Sequence, residues 1–309
     1  AMIEHAIAEM DDMTVIIYDA PETTPVPLVV RANWIRQLYP TIQVIEAHDG
    51  PTETGNTPEI TRKHDAYILK VLAGKKITHF YSSEFYGEHV SEALGAVDCR
   101  FDSARDRIPI SGTVVRENLY ASRSFLDPVV YRDLVPWIVF LGAPSTGKTT
   151  LCKALAEKFD TVWMPEYGRE YWEANQSDRK LNQQQLLEIA NGHITREEQL
   201  STEANSYFFI DTNSTTTRIF GKYYHSESTP ELDALADASS ERYQMVFLCD
   251  DDIPYEDTWD RSGQVTRTIF QQAIIADLQQ RSIPYFTLSG TVDERVQTVT
   301  DILSGYQFW

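Results

Sequence analysis

Residues 142–149 read Gly-Ala-Pro-Ser-Thr-Gly-Lys-Thr and fit the pattern G-x-x-x-x-G-K-[ST] in full. This feature constrains the fold because it works only between a strand and a helix. Trp137-Ile138-Val139-Phe140-Leu141 precedes it, an unbroken apolar run of the kind buried on both faces of a parallel sheet. Lys148 to Phe159 follows at helical spacing. In that setting the glycines let the backbone curl, and successive N–H groups at the helix N-terminus cradle phosphate oxygens. Gly142, Ala143, Pro144, Ser145, Thr146, Gly147, Lys148, Thr149 and Thr150 are the expected ATP-binding residues. Lys148 is suited to neutralise β- and γ-phosphate charge, and Thr149 to offer a hydroxyl to Mg²⁺. The competing reading is a chance glycine turn, which the flanking strand and helix disfavour.

The same alternation runs through the chain. After a helix at Met2–Met10 come strands at Thr14–Tyr18, Ile42–Ile45 and Thr78–Tyr81, separated by helices at Val29–Leu38 and Thr61–Ala73. The pattern pauses near Phe125–Pro136 and restarts with the loop-bearing strand. Further strands are expected at Thr161–Met164, Tyr207–Ile210, Met245–Leu248 and Tyr285–Leu288, with helices at Leu181–Glu203, Gln264–Gln280 and Val292–Leu303. The 309 residues suit two domains, and β/α alternation implies parallel sheets covered by helices. The expected fold class is α/β, two tandem parallel-sheet domains, at 1–134 and 135–309.

Composition narrows the partners. With 27 basic and 46 acidic residues the net charge is −19, which repels a nucleic-acid backbone. No apolar run approaches the roughly 20 residues that span a bilayer. No signal peptide is visible. Three scattered cysteines, Cys99, Cys152 and Cys249, form no CxxC and suit a reducing cytoplasm. Small molecules are the expected partners, and a homo-oligomer stays open.

A phosphate loop needs a carboxylate near its metal, commonly at a strand end. Asp211 follows Tyr207–Ile210 and is favoured for that role over a helix cap before Thr212 and Asn213. Asp250–Asp252 reads as a solvated loop, or as a weaker part of the site. Glu166 after the second strand could accept the proton of an attacking hydroxyl, or merely begin a helix. Tyr167 and Tyr171 could stack on an aromatic ring. Arg261 and Arg267 could close over transferring phosphate as a lid, or be surface arginines. Ser289-Gly290 offers either close approach for an adenine or a plain turn.

Ile110-Ser111-Gly112-Thr113-Val114-Val115-Arg116 opens a helix with two hydroxyls and an arginine one turn on. It resembles the ISxTxxR signature of nucleotidylyltransferases, and Tyr81 to Gly87 resembles the matching strand-end segment of one branch. Followed by a phosphate loop and by Glu166-Tyr167-Gly168-Arg169, the order of elements resembles the NadR-type bifunctional nicotinamide-nucleotide adenylyltransferase and ribosylnicotinamide kinase family, over nearly the whole chain. The resemblance implies a nucleotidylyltransferase-like Rossmann domain followed by a P-loop kinase domain. It implies phosphorylation of nicotinamide riboside to NMN by the second, and joining of NMN to AMP, with release of pyrophosphate, by the first. Ser111, Thr113 and Arg116 would bind ATP phosphates there. Glu166, Tyr167, Arg169 and Asp211 would contact substrate or metal in the kinase half.

One departure stands out. The family's opening strand and GxFxPxHxGH-like loop have no counterpart here, and His5 lies inside the first helix. An open sheet edge is therefore expected in the first domain, and adenylyl transfer is conditional. The leading expectation is an ATP- and Mg²⁺-dependent kinase with Lys148, Glu166, Asp211 and Arg261 at its centre. A kinase for another nucleoside or sugar, an NTP-driven regulatory module and a non-catalytic NMN sensor remain the rivals.

Overall fold

The computed structural model describes residues 1–309 apart from 54, 56, 84, 85, 177–179, 255–263 and 309. Arg261, and Glu84 and Phe85 of the Tyr81–Gly87 segment, lie outside the described residues. The chain divides into two compact units, 1–115 and 116–308.

The first unit contains α1 (Met2–Glu9), β1 (Thr14–Tyr18), α2 (Leu28–Leu38), β2 (Gln43–Ala47), α3 (Pro58–Val71), β3 (His79–Ser82), α4 (Gly87–Leu94) and β4 (Val97–Arg100), and ends within α5 (Gly112–Glu117). β1 runs parallel to β2 from Thr14↔Gln43 to Tyr18↔Ala47, and β3 runs parallel to β4 from His79↔Val97 to Ser82↔Arg100. Among the described residues the two pairs share no ladder, so β1 and β3 each keep an unpaired edge. Both edges line a cleft of about 1190 Å³, which is the form the expected open sheet edge takes. A small core of Ile68, Leu72 and Val90, with Ile16 and Phe80 against it, joins the pairs. Side-chain packing thus supplies what hydrogen bonds between β1 and β3 do not.

The second unit adds α6 (Pro128–Leu134), β5 (Trp137–Leu141), α7 (Lys148–Lys158), β6 (Trp163–Met164), α8 (Tyr167–Asn175), α9 (Gln183–Ser201), β7 (Phe208–Asp211), α10 (Ser214–His225), α11 (Pro230–Ala238), β8 (Met245–Cys249), α12 (Gln264–Gln280), β9 (Phe286–Leu288) and α13 (Val292–Gly305). Five parallel strands lie in the order β6-β7-β5-β8-β9. Because side chains alternate across a strand, Trp137, Val139 and Leu141 of β5 enter one core with Phe270, Ile274 and Leu278 of α12. Ile138 and Phe140 enter the opposite core with Leu151 and Leu155 of α7 and Val299 of α13. The continuous apolar run is thereby explained: β5 has no solvent face. Its neighbours β7 and β8 carry the chain to opposite sides, so a crevice opens at its C-terminal end.

The division at Val115/Arg116 falls earlier than the sequence boundary at 134/135, and packing explains the difference. Tyr131 of α6 sits in the core beside Val139 and Phe208, and its hydroxyl donates to the Ala204 carbonyl at 2.5 Å. α6 is fixed by Pro128 in its first turn and by the Asp127 carboxylate, which accepts from the Val129 N–H at 2.9 Å. Among the described residues no helix is long and apolar enough to cross a membrane.

A fragment starting at residue 116 is therefore expected to unfold cooperatively in urea. One starting at residue 135 should lose several kcal/mol, since Tyr131 alone accounts for roughly 1.5–3 kcal/mol of burial and about 1 kcal/mol of hydrogen bonding. Equal midpoints would place the boundary at 135.

Candidate nucleotide and acceptor site

The phosphate loop leaves β5 at Gly142, where φ is +146° and a Cβ would stand 2.7 Å from the Cys249 carbonyl. Only glycine passes β8 so closely in that conformation. Ser145 and Gly147 also have positive φ, +58° and +81°, before α7 begins at Lys148. The curl is pinned from outside. Gln271 accepts from the Ala143 N–H at 2.8 Å and donates to the Cys249 carbonyl at 3.1 Å. Arg267 donates to the carbonyls of Ser145, at 3.2 Å, and Ile253, at 2.9 Å. Arg295 donates to the carbonyls of Thr146, at 2.7 Å, and Gly290, at 3.0 Å, and pairs with Asp252. The buried arginines thus hold the loop through its carbonyls, on the side opposite to where a curled loop turns its amides.

Lys148 is buried and donates to the Gly142 and Ala143 carbonyls at 2.9 Å each. Thr149 Oγ1 donates to Asp211 Oδ2 at 2.5 Å. Asp211 closes β7 and is fully buried, and its other oxygen, Oδ1, has no hydrogen-bond partner. The cap of α10 is Asn213, whose side chain accepts from the Thr215 N–H at 3.0 Å, so capping does not account for Asp211. Burial first, and then the negative charge of Glu166, push the Asp211 carboxyl up to about 6; Lys148 and the Thr149 hydroxyl oppose them.

One cavity of about 460 Å³ joins these groups. Gly142, Pro144 to Thr150, Glu166, Arg169 and Arg267 line one end. Trp172, Leu181, Leu186, Ile189, Phe220 and Tyr224 make an apolar, aromatic recess at the other, with Thr216 and His193 on its walls. Ala143 and Asp211 are not among the lining residues.

Tyr167 and Tyr171, the expected stacking residues, do not line the cavity either. Tyr167 lies under the Arg196 guanidinium at 4.2 Å and against Gly192, where a Cβ would meet its ring at 2.2 Å. The Tyr171 hydroxyl donates to Glu188. Trp172, the next residue along α8, is turned inward instead: one helical step changes the face. Arg267 is buried and bound to backbone rather than free to close as a lid. In the first unit, Ser111 caps α5, its Oγ accepting from the Val114 N–H at 3.2 Å, and Thr113 is exposed; Arg116, also exposed, falls just past that unit's end.

The profile of a protein family described as an AAA domain matches residues 137–295, about half of the chain. The trifunctional NAD biosynthesis/regulator protein NadR of Escherichia coli (strain K12) is 27% identical over 305 residues, 92% of this chain and 73% of the relative. The chain belongs to the NadR-type family, with an AAA domain in its second unit. The protein of the same name from Salmonella typhimurium (strain LT2) is 30% identical over 210 residues, 67% of this chain but only 51% of the relative. A crystal structure of NadR protein in complex with NR aligns with 99% of this NadR-type chain and 92% of its own, at a TM-score of 0.58 and 20% identity, a likeness of fold.

The sequence did not single out Gln271, Arg295, His193, Trp172, Phe220 or Tyr224. No motif marks them, because Trp172, His193, Phe220 and Tyr224 reach the cavity from α8, α9 and α10, and Gln271 and Arg295 reach the loop backbone from α12 and α13, all placed by tertiary packing. An inward helical face was the only available signal.

Asp211 makes a pH prediction. Its folded-state value, about 6, lies above the ordinary 3.8, so the native protein holds a proton that the unfolded chain releases. The resulting stabilisation is present below about pH 4 and is lost as pH rises through about 6. Thermal midpoints of the ligand-free wild type should fall relative to Asp211→Asn across that window. Parallel curves would refute the shift.

Proposed function

We propose that residues 116–308 form a kinase that transfers the γ-phosphoryl of ATP to the 5′-hydroxyl of nicotinamide riboside, giving NMN and ADP. The observation that carries this reading is the single cavity, with a phosphate loop at one end and an aromatic recess at the other. The volume suits a nucleoside-sized acceptor beside nucleotide phosphates. The choice of acceptor is supported by the neighbouring NadR structure, a complex with NR, and by the relatives, which are named for NAD biosynthesis.

The loop amides and Lys148 would bind the phosphates, Lys148 exchanging the Gly142 and Ala143 carbonyls for phosphate oxygens. Thr149 and Asp211 fit Mg²⁺: a hydroxyl, an ionisable carboxylate and an unpartnered buried Oδ1 form a hard-oxygen donor set. Bound there, Mg²⁺ would neutralise charge on the β- and γ-phosphates. Glu166 would orient the 5′-hydroxyl and accept its proton. Trp172, Phe220 and Tyr224 would hold the cationic pyridinium ring by aromatic contact. Three free cysteines, two of them buried, suit a cytoplasmic setting.

For residues 1–115 we infer a nucleotidylyltransferase-like unit that takes NMN and ATP. The reading rests on the family and on Ser111, Thr113 and, one residue past the unit's end, Arg116, and it is conditional on the phosphate-stabilising histidine loop. NAD and pyrophosphate formation from NMN and ATP is its test.

Titrating the protein with ATP, Mg²⁺ and nicotinamide riboside should yield NMN. Lys148→Ala should lower kcat by about 100-fold or more. Tyr224→Leu should raise the KM for the riboside roughly five- to tenfold and leave that for ATP unchanged. Failure of the wild type to make NMN while it phosphorylates another nucleoside would move the assignment to that acceptor.

A further inference from the structure

One buried polar assembly borders the cavity without a role in the mechanism above. His193, on α9, is 4% exposed and lines the cavity beside Ile189, one turn earlier on the same helix. Its Nε2 lies 3.2 Å from Glu197 Oε1, one turn further on. Glu197 is fully buried and does not reach the cavity. Burying a carboxylate is costly unless its charge is matched, and here it is. The Tyr243 hydroxyl donates to Glu197 Oε1 at 2.7 Å, and Arg242 donates to Oε2 at 2.9 and 3.3 Å. Burial pushes the Tyr243 phenol well up, so it stays a donor.

This surrounding fixes the chemistry of the imidazole. A carboxylate oxygen accepts, so the favoured tautomer places hydrogen on the ring nitrogen that faces Glu197. In a neutral imidazole that leaves Nδ1 as a bare acceptor. Nε2 is sealed from solvent, and its approach to Glu197 is too bent for a formed hydrogen bond. Contacts of this kind are often loose before ligand binds and tighten with it. Nδ1 has no protein partner among the described residues and is not sealed, so the exposed part of this cavity-lining ring includes it.

We propose that His193 Nδ1 accepts a hydrogen bond from a sugar hydroxyl of the phosphoryl acceptor, with Glu197 as the positioning residue that fixes the tautomer. This rests on the reading of the cavity as a nucleoside kinase site and adds to it a basis for discrimination. The loop and the aromatic recess recognise phosphate and a flat ring, and neither distinguishes a riboside from a deoxyriboside. A buried acceptor aimed at a hydroxyl does, because an analogue lacking the hydroxyl leaves it unpaired.

The test compares nicotinamide riboside with its 2′-deoxy and 3′-deoxy analogues in the full chain. The wild type should show kcat/KM at least about tenfold lower for one analogue. His193→Phe keeps a ring and removes the acceptor. It should lower kcat/KM for the riboside to the level of that analogue, chiefly through KM, with the KM for ATP unchanged. His193→Asn, whose amide oxygen can stand near Nδ1, should restore part of the discrimination.

Glu197→Gln removes only the charge that sets the tautomer. It should weaken riboside binding without touching the cavity, and nitrogen NMR of the ring should show the proton no longer confined to Nε2. If His193→Phe and Glu197→Gln both fold, by thermal midpoint, and still discriminate as the wild type does, the proposal is overturned with the kinase reading intact. If the wild type phosphorylates a different nucleoside, the same series is run on that acceptor and its deoxy analogues. No transfer to any hydroxylated acceptor overturns both readings.

Discussion

Everything in the second unit depends on β5 having no exposed face. Once Trp137 to Leu141 is buried on both sides, its C-terminal end can open only into the crevice between β7 and β8. Gly142 then has to pass the Cys249 carbonyl of β8 closely, and the loop is forced into the curl that turns amides toward an anion. Asp211 arrives at the same place because β7 is the other neighbour of β5, paired with it up to Phe140↔Asp211. The phosphate end is thus a consequence of strand order rather than a separate construction.

Electrostatics follow the same logic on a smaller scale. A chain of net charge −19 builds a local anion site by concentrating positive groups where water is scarce. Lys148, Arg267 and Arg295 are all buried around one loop. The two arginines act on backbone carbonyls, so they orient dipoles as well as add charge. Opposite them, burial first and then the charge of Glu166 push the Asp211 carboxyl up. Under the proposal above, a cation between loop and carboxylates would relieve both the repulsion and the orphaned Oδ1.

The first unit shows what the absence of such a central strand does. Its two parallel pairs are each well formed, but among the described residues β1 and β3 face a cleft instead of a neighbour, and a modest core holds them. The contrast with β5 is physical. A central strand gives two ladders and two buried faces, and a pair of short strands gives one ladder each.

Sequence by itself determined the elements and the phosphate loop. Continuous apolar runs, helical periodicity and G-x-x-x-x-G-K-[ST] are local signals, each enforced by neighbours within a few residues. Asp211 was also legible, because a carboxylate at the end of a hydrophobic strand lies at the sheet's ligand-binding edge wherever that strand sits. Tertiary structure alone decided the aromatic end of the cavity, the placement of α6 with the second unit, and the turning of Trp172 rather than Tyr167 or Tyr171 inward. Those outcomes depend on how helices rotate as they pack, a matter of which of several apolar faces finds a partner. No spacing along the chain encodes that choice, because Gly192, which seats Tyr167, and Glu197, which orients His193, act across space on residues that sequence order leaves unconnected.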